Sequence, residues 1–357
     1  MREIGSEFWL DQEFEELTDF EYPQWLNIGV DNKLLLSGRT AIHFVLKDIL
    51  KNNKINTVYF PSYCCKSMIQ PFVDFGINII FYDVKFEEEL KFNINMNQEC
   101  DIFFAMNYFG FSKGRMDRYI EIFKQRNIIV IEDSTHSFLS DKSFNVHSDY
   151  IVASLRKWFP VISGGLAVKT NGRFDIKSKE ETFEEMVRVR KLAMLEKASY
   201  MNGDNSNEKA EFLKKYSIAN EILNKEYSLY SIDRDSYKIL QNINLESVIN
   251  KRKENAKIIY ENLLRNDRFD FIFPELLSGD CPIFIPIIFS NTEERNKIRK
   301  HLINNSIYCP VHWPKPTNLK GEVVTDFFDN ELSLVIDQRY DETDIQYLIR
   351  RLGEFYE

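Results

Sequence analysis

The stretch MDRYIEIFKQRNIIVIED, residues 116–133, joins a helical pattern to a short apolar run that ends in two acids. Residues 116–127 read as a helix, and residues 128–133 have the length and the β-branched content of a buried strand. A strand that is apolar at nearly every position is typical of a parallel sheet covered by helices on both faces. The stretch therefore predicts an α/β fold.

The same alternation of helix and strand extends on both sides of this stretch, from about residue 34 to residue 170. One predicted helix has a single apolar face formed by Ala41, Ile42, Val45, Leu46 and Ile49. The other predicted strands lie at residues 57–63, 77–84, 101–110 and 150–155. This pattern predicts a mostly parallel sheet between helices, with the ligand site at the carboxyl ends of the strands.

The character of the sequence changes after residue 175. Residues 176–225 are charged and helical, with a loop at GDNSN (203–207), and from residue 244 helices and strands follow one another as in a smaller α+β domain. We therefore predict four parts in the chain. They are an N-terminal arm (1–30), a large domain (31–175), a helical linker region (176–243) and a small C-terminal domain (244–357).

The charge and the cysteine content limit the classes of function. The 357 residues carry a formal net charge of −9, which disfavours a nucleic-acid-binding protein but is compatible with a local site for an anionic ligand. An acidic N-terminus and the lack of any run of about 18 apolar residues lead us to expect neither a signal peptide nor a membrane span. Five cysteines without a CxxC pair fit reduced thiols in the cytoplasm, and five scattered histidines argue against a metal site.

Ser37 and Gly38 open the first predicted helix of the sheet region. Free backbone N–H groups and the positive end of the helix dipole make such a helix start a seat for phosphate, and Arg39 could add a bidentate contact. The alternative interpretation of Ser37 is an ordinary N-cap.

Asp133 ends the apolar strand at 128–133, where a buried carboxylate is costly unless it has a cationic partner. A protonated heterocyclic nitrogen of a ligand would be one such partner, and a helix N-cap or a salt bridge is the alternative. His136 follows three residues later and could contact the same ligand or be a partly buried structural histidine.

The stretch ASLRKWFPVISGG, residues 153–165, places Ser154 and Lys157 after the next predicted strand. A lysine held in a cleft can act as a nucleophile towards carbonyl groups, although most lysines lie at the surface. Arg156 competes with Lys157 for any anion-binding role in this segment. A phosphate seat, then a carboxylate at a strand end, then a lysine after the next strand describe a site for pyridoxal 5'-phosphate (PLP).

Six segments of the chain together resemble the DegT/DnrJ/EryC1/StrS family of sugar aminotransferases, which are PLP enzymes of fold type I, over about residues 30–350. The segments are SGRTAIHFVL, VYFPSYCCKSMIQPFVDFGINIIFYDV, VIEDSTHS, ASLRKWFPVISGGLAV, RKENAKIIYENL and IYCPVHWPKP. The resemblance implies a fold-type I PLP-transferase, in which a large domain holds a mostly parallel sheet between helices and a smaller C-terminal α+β domain follows.

The resemblance also assigns roles to single residues. Lys157 matches the lysine that forms the Schiff base with the cofactor, and Asp133 matches the acid that pairs with the pyridine nitrogen, so both are the expected catalytic residues. His136 matches the residue at the phenolic oxygen of the cofactor. The residues expected at the phosphate are Gly38, Arg39 and Ser154.

Two positions and one spacing depart from the family pattern, since Ser154 and Lys157 lie closer together in the sequence than is common in the family. Arg39 replaces the usual threonine, and Cys65 falls where the family often has an aromatic residue stacked on the cofactor ring. Tyr63 or another residue would then cover that face of the ring. His312 and Trp313 in the C-terminal segment are expected to contact the substrate, and so is Tyr63.

The resemblance implies an aminotransferase that moves an amino group from a donor, most often glutamate, to a nucleotide-linked keto sugar for polysaccharide or amino-sugar biosynthesis. It implies a cytoplasmic homodimer whose other partners are small molecules, with no nucleic acid and no membrane. Two alternatives stay open: a catalytically degenerate homologue that binds a ligand or serves as a scaffold, and a sugar dehydratase dependent on pyridoxamine phosphate (PMP). Relatives of the dehydratase class carry histidine in place of Lys157, which favours amino transfer.

Overall fold

The chain is described by a computed structural model over residues 3–10, 22–203, 208–263, 268–313 and 327–355. Parts of three predicted segments lie outside these residues. They are residues 1–2 and 11–21 of the N-terminal arm, residues 204–207 of the predicted loop, and the end of the C-terminal motif from residue 314 onwards.

A large sheet of eight strands follows a short N-terminal strand, β1 (Ile4–Gly5). The order of the strands across the sheet is β2-β9-β8-β7-β6-β3-β4-β5. The strands are β2 (Asp31–Leu35), β3 (Thr57–Pro61), β4 (Asn78–Glu87), β5 (Glu89–Asn93), β6 (Ile102–Met106), β7 (Ile129–Asp133), β8 (Tyr150–Ser154) and β9 (Gly165–Lys169). Three helices lie between these strands in the chain, α1 (Gly38–Asn52), α2 (Lys66–Asp74) and α3 (Asp117–Gln125).

The centre of the large sheet is parallel, as the sequence predicts. Strands β4, β3, β6, β7 and β8 pair in parallel, and all five residues of β6 are buried. The predicted apolar face of α1 is buried as well, and on the other side the Phe103 ring of β6 stacks on Phe123 of α3 at 4.1 Å. From β3 the chain adds β4 on one side, and then β6, β7 and β8 follow on the other side. The order of strands therefore reverses between β3 and β6, and parallel sheets bind ligands at such a point.

The sequence pattern does not predict the antiparallel strands near the two edges of the large sheet. Strand β9 runs antiparallel between β8 and β2, and β5 returns along β4 as a hairpin. Glu88, between β4 and β5, has a φ of 70°, which lets the chain reverse within a single residue. A reversal this tight leaves no cluster of glycine, proline or asparagine to mark it in the sequence.

The second half of the described chain is mainly helical and carries a small antiparallel sheet. Its helices are α4 (Glu184–Met201), α5 (Lys209–Lys225), α6 (Arg234–Asn242), α7 (Leu245–Asn262), α8 (Thr292–Asn304), α9 (Phe327–Asn330) and α10 (Glu342–Glu354). Its strands are β10 (Phe269–Phe271), β11 (Ile285–Phe289), β12 (Ile307–Tyr308) and β13 (Glu331–Leu334), of which β10, β11 and β13 form the sheet. The division of the chain into four parts stays a prediction.

The N-terminal segment, residues 3–10, is built into this second half. Strand β1 pairs in parallel with β12, and Gly5 donates its N–H to the Tyr340 hydroxyl at 2.7 Å. Gly5 has a φ of 96°, and a Cβ there would lie 2.3 Å from the carbonyl oxygen of Tyr308, so only glycine fits. The part of the predicted arm at residues 3–10 is therefore anchored and is not an irregular tail.

Gly165 is the position where the start of β9 passes closest to α1. A Cβ on Gly165 would lie 2.0 Å from the Ser37 carbonyl oxygen. We expect Gly165→Ala to lower the free energy of unfolding by about 1–3 kcal/mol, because the backbone must shift to relieve the overlap. Denaturant unfolding measures this, with Gly353→Ala as the control, since a Cβ on Gly353 in α10 meets nothing within 4 Å. Wild-type stability of Gly165→Ala would contradict the close approach of β9 to α1.

Candidate active site

A cavity of about 400 Å³ lies at the carboxyl ends of β7 and β8, beside the start of α1. Apart from Tyr63, it brings together the residues that the sequence predicts at the cofactor, and Trp313 in addition. The predicted residues that line it are Gly38, Arg39, Cys65, Asp133, His136, Ser154, Lys157 and Trp313. The convergence follows from the parallel sheet, because the carboxyl ends of its strands share one edge.

The start of α1 combines an N-cap with free backbone donors. The Ser37 hydroxyl accepts the Thr40 N–H at 3.1 Å, which is the N-cap that the alternative interpretation expects. Within the described residues, the N–H groups of Gly38 and Arg39 have no hydrogen-bond partner. Both groups lie at the positive end of the helix dipole, so the cap and an anion seat coexist at this helix start.

Gly38 allows the helix start to approach the end of β8. A Cβ on Gly38 would lie 2.9 Å from the Cβ of Ser154, closer than side-chain carbons normally come. The absence of a side chain therefore keeps the Ser154 hydroxyl side by side with the free N–H groups of α1, where a phosphate oxygen could meet both.

Asp133 is a buried carboxylate at the end of β7 and is only 4 % exposed. Its Oδ1 accepts the Thr135 N–H at 2.8 Å, and no lysine, arginine or histidine among the described residues forms an ion pair with it. Burial raises the pKa of Asp133 to about 6, and the hydrogen bonds from Thr135 only partly offset this. Within the described chain, Asp133 therefore has no salt bridge of the kind that the alternative interpretation expects. A cationic atom of a ligand would stabilise its carboxylate.

His136 is a neutral imidazole in the cavity wall. Burial, and to a smaller extent the charges of His312 and Lys157, holds the pKa of His136 well below its usual range. Nδ1 accepts the Phe109 N–H at 3.4 Å, so the proton of the neutral ring belongs on Nε2. Trp313 stacks on the same imidazole at 5.4 Å between ring centroids.

Lys157 ends the 3₁₀ turn Leu155–Lys157, which directly follows β8. Its side chain is exposed to the cavity and makes no hydrogen bond or ion pair with any residue of the described ranges. The turn is fixed from both sides, because Trp158 donates its indole N–H to the Thr135 carbonyl at 2.6 Å and Leu155 donates its N–H to Gly164 at 3.1 Å. The backbone of the lysine is thus rigid while its amino group stays available.

Thr135 is a site residue that the sequence interpretation missed. Its hydroxyl accepts the Ser154 N–H at 3.0 Å, and its backbone holds both Asp133 and Trp158. It therefore ties the carboxylate loop to the lysine turn. The only signal in the sequence was the position of Thr135 between Asp133 and His136. That position does not show whether the side chain supports the site or points into solvent.

Arg39 turns away from the strands and towards α5. It donates to the Asn224 side-chain oxygen at 2.8 Å and lies over the Tyr227 ring at 5.2 Å, while its buried Nε has no partner among the described residues. Burial lowers the pKa of Arg39. Residues of α5 thus reach the cavity, which no sequence pattern indicated, because the linker reads only as a charged helical region.

Cys65 and Tyr63 differ in their relation to the cavity. Cys65 lies at its wall and is half-buried, with its Sγ 2.9 Å from the Ser67 hydroxyl. Tyr63 lies in the core with no exposed surface and donates its hydroxyl to the His312 carbonyl. The structure therefore does not bring Tyr63 to the cavity, and Trp313 on His136 is the aromatic side chain that reaches it.

His312 lines a second cavity, described below, and not the first. Its Nδ1 is 2.9 Å from the Ser333 hydroxyl, which in turn donates to Glu331. Burial lowers the pKa of His312 to about 3, so the ring is neutral. Within the described residues no group of three or more histidine, cysteine or acidic side chains could hold a metal ion, and no helix is long and apolar enough to cross a membrane.

Comparisons with known proteins give one kind of match. No family model and no curated protein matches the chain. Among solved structures, PseC of Helicobacter pylori superposes with a TM-score of 0.68 at 13 % identity and covers 99 % of each chain. A DegT DnrJ EryC1 StrS aminotransferase from Brucella abortus gives 0.60 at 15 % identity, covering 93 % of this chain and 87 % of the other.

A third structure, Spr1654 from Streptococcus pneumoniae in its PLP-form, gives a TM-score of 0.61 at 16 % identity and covers 90 % of this chain and 86 % of the other. At such identities the likeness is one of fold. It extends over nearly the whole chain and includes the mostly parallel eight-stranded sheet. The predicted fold class is confirmed: the chain has the α/β fold of the fold-type I PLP aminotransferases.

Proposed function

We propose that the chain is a PLP-dependent aminotransferase of the DegT/DnrJ/EryC1/StrS type that transfers an amino group to a keto sugar. The observation that carries this proposal is the content of one cavity: an unpartnered lysine, a buried carboxylate without a cationic partner, and a helix start with free N–H groups. The structural neighbours support it, since PseC is titled an aminotransferase involved in the biosynthesis of pseudoaminic acid.

The residues present fit the cofactor. Free N–H groups at Gly38 and Arg39, next to the Ser154 hydroxyl, would hold the phosphate. Asp133 would bind the pyridine nitrogen, because a protonated ring nitrogen is the cation that its buried carboxylate lacks. His136 would donate from Nε2 to the phenolic oxygen, and Cys65 at the cavity wall would lie beside the ring.

Lys157 would hold and move the proton of the reaction. When bound, PLP supplies an aldehyde that bonds the substrate amine and a ring that accepts the electrons of the broken C–H bond. The free Nζ of Lys157 would take the proton from the α-carbon of the donor and deliver it to the aldehyde carbon of the cofactor, on the other side of the amine nitrogen. Asp133 would stay ionised beside the protonated ring nitrogen and so keep that nitrogen cationic.

Trp313 and the second cavity would bind the substrate. Trp313 stacks on His136 in the wall of the first cavity, and His312 lines the adjoining one, so a sugar that extends from one cavity into the other would contact both residues. We further propose glutamate as the amino donor and a nucleotide-linked keto sugar, for polysaccharide biosynthesis, as the acceptor. The support for these finer assignments is the resemblance of the sequence motifs.

A homodimer in the cytoplasm is part of the same proposal. Leu192 of α4 and Leu213 and Ile218 of α5 are exposed apolar side chains, and α5 also lines the cavity, so a second copy covering this face would lie near the site. All five cysteines are free thiols, as in a reducing compartment. Sedimentation of the PLP-loaded protein tests the dimer, and a monomer at micromolar concentration would contradict it.

The test of the function is a two-stage transfer followed by absorbance. The protein loaded with PLP is mixed with L-glutamate, and we expect the visible band to disappear with one equivalent of 2-oxoglutarate formed per site. Adding UDP- or dTDP-linked 4-keto-6-deoxyhexoses then restores the band for the sugar that accepts the amine. A protein that binds PLP but takes no amine from glutamate or from other amino acids would contradict amino transfer and leave the binding or scaffold alternative.

A further inference from the structure

A second cavity, of about 280 Å³, adjoins the first, and Arg156 and Lys157 line both. One of its walls is the N-terminal segment, which contributes Glu7. Another wall carries Arg252, His312 and Arg339. The second cavity therefore starts at the reactive lysine and is rich in arginine, in a chain whose net charge is −9.

Most charges of the second cavity already have partners. Arg339 forms a bidentate pair with Asp337, with both N–O distances at 2.8 Å. Arg252 donates to Gln338 at 2.9 Å and to the Ile283 carbonyl at 3.2 Å. These groups act as structural parts of the wall.

Arg156 is the exception among these arginines. It forms no hydrogen bond or ion pair with any residue in the described parts of the chain, and its Nε is buried without a partner. Burial, with the nearby charge of Arg190, lowers the pKa of Arg156 to about 9, and the charge of Glu7 offsets this only in part. A guanidinium that is partly buried and repelled by a second guanidinium is stabilised when an anion binds to it.

Glu7 does not supply that anion. Its carboxylate binds Arg190 at 2.7 Å, and no ion pair joins it to Arg156. The N-terminal segment cannot readily move Glu7 closer, because Arg339 donates to the carbonyls of Ser6 and Glu7, both at 3.1 Å, and Lys197 donates to the Ser6 hydroxyl at 2.6 Å. Glu7 is thus a fixed wall residue that is 48 % exposed to the cavity.

We propose that Arg156 binds a carboxylate of the amino donor at the junction of the two cavities. This inference rests on the proposed function. In any α-amino acid the carboxylate and the amino nitrogen are bonded to the same carbon, and Arg156 and Lys157 line the same two cavities, so a donor whose amine reaches Lys157 has its carboxylate in the space that Arg156 lines. The planar guanidinium of Arg156 matches a carboxylate with two parallel hydrogen bonds.

The fixed acids favour a carboxylate over a diphosphate as the ligand of Arg156. Glu7 and Asp337 both line the second cavity, where their ion pairs with Arg190 and Arg339 neutralise those two arginines. Among the described residues, Arg156 is then the arginine of this cavity with an uncompensated charge, and it balances the single charge of a carboxylate but only part of the charge of a diphosphate. Glu7 therefore weakens the binding of highly charged anions, while Arg156 attracts a single carboxylate.

The test measures binding of unreactive anions to the PLP-loaded protein by calorimetry, with succinate and inorganic pyrophosphate as probes. We expect Arg156→Gln to weaken succinate binding by about 10- to 100-fold, the loss of a charge-assisted hydrogen bond. Arg156→Lys keeps the positive charge but loses the two parallel hydrogen bonds of the guanidinium. Its succinate affinity should therefore lie between those of Arg156→Gln and wild type. Glu7→Gln should have the opposite sign and tighten succinate binding about 2- to 4-fold at low salt, an effect that salt screens.

Arg350→Gln is the matched control, since this arginine is 59 % exposed on α10 and its loss changes the net charge equally. Succinate affinity equal to wild type in Arg156→Gln, or no succinate binding to wild type, would overturn the proposal. Pyrophosphate binding that depends on Arg156, with succinate binding that does not, would overturn the carboxylate and indicate a diphosphate site. Binding needs no turnover, so the two proposals can fail separately. If succinate binding depends on Arg156 but the protein does not convert glutamate, the proposed aminotransferase function is refuted and the carboxylate site at Arg156 stands.

Discussion

Replacing Lys157 with alanine is expected to lower the rate of amino transfer from L-glutamate by about 10⁴-fold, the upper range for loss of a single acid–base group. Lys157 is the side chain in the first cavity that is exposed, unpartnered within the described residues and held on a rigid turn. Its removal takes away both the covalent attachment of the cofactor and the group that moves the proton. Single-turnover formation of 2-oxoglutarate measures the effect.

Lys257→Ala is the matched control for this experiment. Lys257 lies on α7 with 69 % of its side chain exposed, so its loss removes the same charge far from the cavity. We expect wild-type rates from the control. Activity of Lys157→Ala within about tenfold of wild type would mean that another group carries the proton transfer.

Replacing Asp133 with asparagine is expected to have opposite effects on the apoprotein and on catalysis. In the apoprotein the buried carboxylate destabilises the fold, because its pKa is raised from 3.8 to about 6. At pH 7 this shift corresponds to about 3 kcal/mol of destabilisation, which the neutral amide avoids. Asp133→Asn should therefore unfold at a higher denaturant concentration than wild-type apoprotein.

The pH dependence follows from the same shift. The folded-state pKa lies above the unfolded one, so the folded protein binds the extra proton, and the penalty is fully present above about pH 6. Wild-type apoprotein should gain stability relative to Asp133→Asn as the pH falls from 7 to 4. Asp270→Asn, at an exposed position of β10, should show no such difference.

In catalysis the same substitution should be harmful. An amide cannot hold the ring nitrogen of PLP protonated, and we expect the rate of amino transfer to fall by about 10²–10³-fold, as when one preorganised electrostatic contact is lost. PLP should also dissociate about 10- to 100-fold more readily. A variant that gains apoprotein stability yet keeps full activity would contradict the assignment of Asp133 to the ring nitrogen.

The sequence predicted the parallel core of the fold and the residues of the first cavity, and the physical reason is the same for both. Apolar runs such as 128–133 can be buried only in a sheet covered on both faces, and the carboxyl ends of parallel strands converge. Asp133, Ser154 and Lys157 each follow such a run, so their meeting required no long-range information.

The parts that the sequence did not predict depend on contacts between distant segments. No periodic pattern in the sequence indicates that α5 contacts Arg39 or that Thr135 links β7 to β8. The N-terminal segment was predicted only as an arm, and its pairing was missed because Ile4 and Ile307 are about 300 residues apart in the sequence. Tyr63 was expected at the ligand but faces inwards, since its hydroxyl bonds the backbone of the C-terminal motif.

The central claim is that PLP binds in the first cavity with Lys157 as its attachment point. The most direct measurement is mass spectrometry of peptides from the wild-type protein after incubation with PLP and reduction with borohydride. We predict one modified peptide, with the pyridoxyl group on Lys157. A label spread over exposed lysines such as Lys257, or no stoichiometric label at saturating PLP, would contradict the account.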